Sequence, residues 1–214
     1  MSIKKAVILL SGGLDSSTAL YYAKSKGYAC SCLIFDYGQR HKKELKSAVK
    51  IARLAGCPYK IIKIKLPWQA GSLLNKKLSI PDNCQLSTVN ALPSTYVPGR
   101  NTIFISHALS YAESINACRI FIGANAVDFS GYPDCRPDYY KAWNRVLSAL
   151  GTGVRVETPL IKLTKEKIIR IGQSLKVPYG LTWSCYEGGR KPCGICDSCR
   201  FRAKGFAEAG IQDR

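Results

Sequence analysis

Within its first 26 residues the chain passes from an apolar run into Ser11-Gly12-Gly13-Leu14-Asp15-Ser16-Ser17 and on into a helix-like segment, and few folds accommodate that passage. Residues 4–10 are near-continuously apolar, the pattern of a strand buried on both faces. Residues 16–26 read as the helix that follows, with Leu20 and Ala23 among its inward positions. Two glycines let the backbone turn sharply and approach a ligand, while free amides at the helix start and the hydroxyls of Ser11, Ser16 and Ser17 can donate to phosphate oxygens. With Leu9 and Leu10 at the strand end, the loop is expected to form an anion cradle. A capped turn without a ligand is the plainer alternative. Two glycines, an acid and three serines at the first strand-to-helix switch weigh against it. No lysine follows the glycines, and a third glycine is missing, so the loop is neither the Gly-Lys-Ser/Thr nucleotide loop nor a dinucleotide fingerprint.

The alternation continues. Strands are expected at 30–35, 59–64, 119–123 and 155–157, with helices at 44–55, 101–116, 138–150 and 165–173. Apolar strands alternating with helices imply an α/β fold with a parallel sheet covered on both faces. Residues 67–99, divided by Pro67, Pro81, Pro93 and Pro98, read as an insertion or flap. The division expected is an α/β domain over 1–180 and a small module over 181–214.

A chain of 214 residues, 46% hydrophobic, can bury a sizeable core. The apolar stretch 6–10 is too short for a signal-peptide core or a membrane span, so a soluble cytoplasmic protein is expected, with no membrane partner. The formal charge of +18 favours phosphates or nucleic acid as partners. Residues 40–77 hold eleven basic residues against the single acid Glu44, either a nucleic-acid surface or a solvated face.

Four of the ten cysteines cluster as Cys185, Cys193, Cys196 and Cys199. Two Cys-x2-Cys steps turn neighbouring thiolates onto one knuckle, and Cys185 can close a tetrahedron from the preceding loop. One structural Zn2+ per chain is expected, with an iron-sulfur cluster or a redox dithiol as alternatives. Arg190, Lys191, Arg200 and Arg202 are near enough in sequence to offset the thiolate charge. The other six cysteines, among them Cys84, carry no assigned chemistry.

After the strand expected at 119–123 comes Asp128-Phe129-Ser130-Gly131-Tyr132-Pro133-Asp134-Cys135-Arg136, which should lie at the carboxyl edge of the sheet where ligands collect. Carboxylates there can accept from a guanine-like edge and an aromatic ring can cover its face. An ordinary turn-rich loop is the competing reading.

The Ser-Gly-Gly-x-Asp-Ser pattern after a first strand resembles the loop of the ATP pyrophosphatase (PP-loop) superfamily. Asp36 to His41, Val97 to Asn101, Asp128 to Arg136, Thr158-Pro159-Leu160 with Leu163-Thr164-Lys165, and the four cysteines extend this. Together they resemble the 7-cyano-7-deazaguanine synthases of queuosine precursor biosynthesis. The resemblance implies a homodimeric, zinc-containing enzyme with a Rossmann-like fold, consuming ATP with Mg2+, 7-carboxy-7-deazaguanine and ammonia. It implies that residues 9–17 with Gln39 and Arg40 hold ATP, that Asp15, Arg100 and Lys165 are catalytic, and that Asp128, Phe129, Ser130, Tyr132, Asp134 and Arg136 bind the base, Asp134 reading its edge. Asp15 is expected to anchor magnesium or the loop's geometry, since a bare carboxylate would repel a triphosphate. Gln39, Arg40 and His41 are expected to border the nucleotide, His41 equally as a helix-start residue. The chain departs from the familiar pattern at Leu14, at Ala126-Val127 and at Asp197. A tRNA-modifying PP-loop enzyme and a non-enzymatic zinc-stabilised binding module are the competing functions, tRNA not being expected as a direct substrate.

Overall fold

The computed structural model describes residues 3–68, 70–75, 77–80, 92–127 and 131–213. Five strands, β1 (Lys5–Leu9), β2 (Ala29–Asp36), β3 (Tyr59–Lys63), β4 (Arg119–Ile122) and β5 (Arg155–Glu157), pair in parallel in the order β3-β2-β1-β4-β5. Among the described residues the α-helices are α1 (Leu14–Ser25), α2 (Lys43–Leu54), α3 (Arg100–Ser114), α4 (Pro137–Ala149), α5 (Lys165–Ser174) and α6 (Asp197–Ala209).

The strand period of two divides β1 between two cores. Val7 and Leu9 pack with Ile105, Ala108 and Ala112 of α3 and Tyr140 and Leu147 of α4. Ala6, Ile8 and Leu10 pack on the opposite face with Leu20 and Ala23 of α1 and Ala48, Ile51 and Ala52 of α2. A third core joins Leu14 and Ala19 of α1 to Ile168 and Ile169 of α5 and to Phe206 and Ala209 of α6, so the helix after the cysteines is built into the main body.

The chain winds from β1 outward to β3, then returns to lay β4 on the other side of β1. The loops after β1 and β4 therefore diverge, and a cleft opens at the carboxyl ends of these strands. The parallel α/β architecture matches the expectation. Helix α1 starts two residues earlier than its periodicity suggested, because extended Gly13 (φ −80°, ψ 171°) serves as N-cap and puts Asp15 in the first turn.

The described parts of 67–99 hold no helix or strand, but they are tied down. The Ser72 amide donates to the Ser94 carbonyl at 2.7 Å, and Val97 is buried in the first core. Lys42, Lys46, Lys50, Arg53, Lys60, Lys63 and Lys65 lie exposed along α2, β3 and the residues beside them. No described helix is long and apolar enough to cross a membrane.

Candidate active site

A cavity of about 280 Å³ lies at the topological switch point. Leu9, Leu10, Ser11, Gly13, Leu14, Asp15 and Ser16 line it from the first loop, Gln39 and Arg40 from beyond β2, and Arg100, Tyr132 and Lys165 from three other segments. Thus one cleft collects residues from positions 9 to 165.

The loop is rigidified by its own hydroxyls. Ser16 Oγ accepts from the Ser11 amide at 3.2 Å and lies 2.9 Å from Ser11 Oγ, while the Gly13 amide donates to Ser11 Oγ at 3.3 Å. Gly13 contributes no side-chain cap, so the first-turn amides of α1 remain available to an anion. Ser17 departs from the expected donor role: it is fully buried and its hydroxyl donates to the Gly13 carbonyl at 2.7 Å. Gly12 does not line the cavity, and a Cβ there would stand 2.4 Å from the Glu44 carbonyl oxygen, so its role is close packing of the loop on α2.

Asp15 is not bare. Lys165 Nζ donates to both of its carboxylate oxygens at 2.8 Å, so the loop's one negative charge is balanced from the first residue of α5. Room for the lysine stem comes from α6, where a Cβ on Gly205 would lie 2.4 Å from Lys165 Cγ. Across the cavity, Arg100 opens α3 and its guanidinium donates to the Tyr37 hydroxyl at 3.2 Å.

Of the described residues expected to bind the base, Tyr132 lines the cavity and Asp134 and Arg136 do not. Tyr132 lines the cavity and is held by a hydroxyl contact with Thr95. Asp134 is buried and is not among the residues that line the cavity. Its carboxylate accepts from the Asn101 amide at 3.4 Å and its carbonyl accepts from Asn101 Nδ2 and the Tyr140 hydroxyl, so it secures the start of α3, a helix whose N-cap, Gly99, offers no side chain. Burial raises its pKa, Arg100 partly opposing. Arg136 is exposed at the N-cap of α4 and does not line the cavity. Asp128, Phe129 and Ser130 lie outside the described residues, as does Cys84.

The ligand atoms of Cys185, Cys193, Cys196 and Cys199 all lie within 4.8 Å of one another, and the Cys193 and Cys199 sulfurs are 3.9 Å apart. Tetrahedral metal–sulfur bonds of about 2.3 Å require sulfurs a little under 4 Å apart, so the set fits one metal ion. The Cys193 and Cys196 amides donate to the sulfurs of Cys185 and Cys193 at 3.3 and 3.4 Å, as in a metal knuckle. Arg202, one of the cations expected to offset thiolate charge, is instead paired with Asp213 at 2.7 Å and donates to the Tyr179 carbonyl and Thr182 hydroxyl. The knuckle meets the phosphate loop directly: the Trp183 amide donates to the Gly12 carbonyl at 2.9 Å, and His41 Nε2 lies 2.9 Å from the Cys185 carbonyl.

Glu44, Tyr37, Trp183, Tyr186 and Cys135 also line the cavity, and the motif reading assigned none of them to it. For Glu44 a signal existed, since it is the lone acid among eleven bases. Burial pushes its carboxyl up to about 7, with Arg100 partly offsetting. A raised carboxyl pKa contributes stability that is fully present below the unfolded value near 4.5 and lost as pH rises through 7. Glu44→Gln should therefore melt with the wild type at pH 5 and above it at pH 8, by about 2 kcal/mol in denaturant titrations.

With this geometry in place, comparison with known proteins narrows the family. The family profile described as "Queuosine biosynthesis protein QueC" matches residues 5–210. Relatives named 7-cyano-7-deazaguanine synthase include one from Picrophilus torridus, 55% identical over 98% of this chain and 90% of that protein, and one from Thermoplasma acidophilum, 52% identical over 100% and 92%. A third, from Trichodesmium erythraeum, is 51% identical over 98% of both. Among solved structures, NMN synthetase from Francisella tularensis shares the fold at TM-score 0.54 and 17% identity, covering 99% of this chain and 79% of that one. Near-complete coverage at half identity, together with the profile match, places the chain in the queuosine biosynthesis protein QueC family.

Proposed function

We infer that this chain makes 7-cyano-7-deazaguanine from 7-carboxy-7-deazaguanine, ammonia and ATP. The observation that carries the reading is half identity over nearly the whole chain to several proteins of that name. The cleft supplies chemistry suited to it, with amides of α1, the Asp15–Lys165 pair and Arg100 converging on one cavity.

In the proposed sequence the substrate carboxylate attacks the α-phosphorus of ATP and pyrophosphate leaves. Ammonia then attacks the acyl carbon and AMP leaves, giving the amide. The amide oxygen attacks a second ATP, and loss of AMP with two N–H protons gives the nitrile. Each oxygen is a poor leaving group until esterified to phosphate, so removing two oxygens takes two activations.

The loop from Leu9 to Ser16 with Gln39 and Arg40 is assigned to ATP, and Tyr132, with the loop that precedes it, to the base. Lys165 and Arg100 are assigned to charge developing on the phosphates. Magnesium entering with ATP would further balance the triphosphate. The four thiolates are assigned one structural Zn2+, within a module over 181–214 on an ATP-binding unit over 1–180, and the assembly is taken as a cytoplasmic homodimer.

Incubation with ATP, magnesium, ammonium and the acid should yield nitrile, AMP and pyrophosphate by mass spectrometry. Accumulation of amide without nitrile would remove the second activation from the reading. Lys165→Met should lower AMP formation 10²- to 10³-fold and destabilise the chain by about 3 kcal/mol, because Asp15 loses the partner of both its oxygens. The double variant Asp15→Asn/Lys165→Met should recover much of the stability and none of the rate, as read by melting and by AMP assay.

A further inference from the structure

Amide formation leaves a surplus proton on nitrogen, and a group in the cavity must take it. The described cavity lining contains two carboxylates, Asp15 and Glu44. Both oxygens of Asp15 are held by Lys165. The Glu44 carboxylate accepts no hydrogen bond among the described residues, and the residue's backbone lies close to the phosphate loop, its main-chain carbonyl packing against Gly12. The other candidate acceptor, His41, also lines the cavity, but its Nε2 lies on the Cys185 carbonyl and its Nδ1 is buried without a hydrogen-bond partner.

We propose that Glu44 is the catalytic base of amide formation, taking the proton from nitrogen after ammonia has added to the activated acyl carbon. In that step an N–H bond breaks and a Glu44 O–H bond forms, and the tetrahedral adduct collapses with its C–O bond to phosphate breaking and AMP carrying off the electron pair. The carboxyl then returns the proton to water. This assignment rests on the functional reading above.

The charged and titratable groups facing Glu44 are Arg100 of α3, Tyr37 beyond β2 and Tyr186 of the cysteine module. Burial and this setting place its titration at about 7, so a carboxylate base operates with a rising rate through neutral pH.

The test compares wild type, Glu44→Gln and Glu44→Asp in two assays, acid-dependent exchange of labelled pyrophosphate into ATP and amide plus nitrile formation. Exchange needs no base at nitrogen. Glu44→Gln should keep exchange within about twofold and lose 10²- to 10⁴-fold in product formation. The wild-type acid limb near pH 7 in kcat/KM should vanish, and Glu44→Asp should restore part of the rate. Product formation within a few-fold of wild type, or exchange falling in parallel with product in a variant that melts normally, overturns the assignment. Absence of exchange in the wild type overturns the functional reading and this step with it.

Discussion

Gly12→Ala should lower stability by about 4 kcal/mol and reduce the melting temperature by roughly 10 °C. The new Cβ would stand 2.4 Å from the Glu44 carbonyl oxygen and 2.5 Å from the Ala48 amide nitrogen, both backbone atoms of α2 that no rotamer change can move. The residue also holds φ at +84°, where alanine is strained by about 1 kcal/mol. Gly27→Ala separates the two costs, since Gly27 has φ +80° and a methyl placed on it would meet nothing within 4 Å, so it should lose only about 1 kcal/mol. Equal losses in paired denaturant titrations would mean that α2 yields freely. The functional consequence is larger than the stability loss alone, because α2 carries Glu44 and the Gly12 carbonyl receives the Trp183 amide. Displacing α2 therefore shifts two walls of the cavity, and pyrophosphate exchange should fall at least tenfold at temperatures where the variant is still folded.

The fold was legible because its signals are local. β1 and β2 are buried on both sides, so their apolar runs needed no knowledge of partners, and the glycine-serine loop sits where a strand meets a helix. The cavity lining was legible where backbone geometry decides it, at residues 9–11 and 13–16, and less so where two acids compete for one environment. Asp134 and Glu44 look alike as letters. Asp134 was claimed by α3, whose glycine N-cap leaves the Asn101 amide in need of an acceptor, whereas Glu44 in the first turn of α2 was left facing the cavity. Which helix end needs a cap is set by the tertiary path of the chain, and no spacing in the 128–136 motif encodes it. Gly205 is a similar case. Its sequence context gives no sign that Lys165 passes over it, although that passage lets the lysine reach Asp15.

If the four-cysteine knuckle holds the proposed Zn2+, chelating it should abolish product formation while leaving half of the module folded. Structural zinc contributes on the order of 10 kcal/mol to small knuckles that have no other core, but α6 has one, with Phe206 and Ala209 packed on α5. Burying a phenylalanine is worth about 1.5–3 kcal/mol, enough to retain the second half of α6. Residues 185–196 have no comparable apolar anchor, since their cluster consists of Cys185, Cys196 and Cys199 with Ile80 and flanking aromatics. After chelation, amides of residues 183–199 should therefore exchange with deuterium at least 10²-fold faster while those of 205–209 stay protected. The loss reaches the chemistry through three contacts, Trp183 on the Gly12 carbonyl, His41 on the Cys185 carbonyl, and Tyr186 in the cavity wall. Adding Zn2+ back should restore protection and activity to the chelated wild type, but not to Cys196→Ser, which lacks one of the four ligands. Uniform deprotection of α5 and α6 would mean instead that the metal, and not the shared apolar core, holds the tail against Lys165.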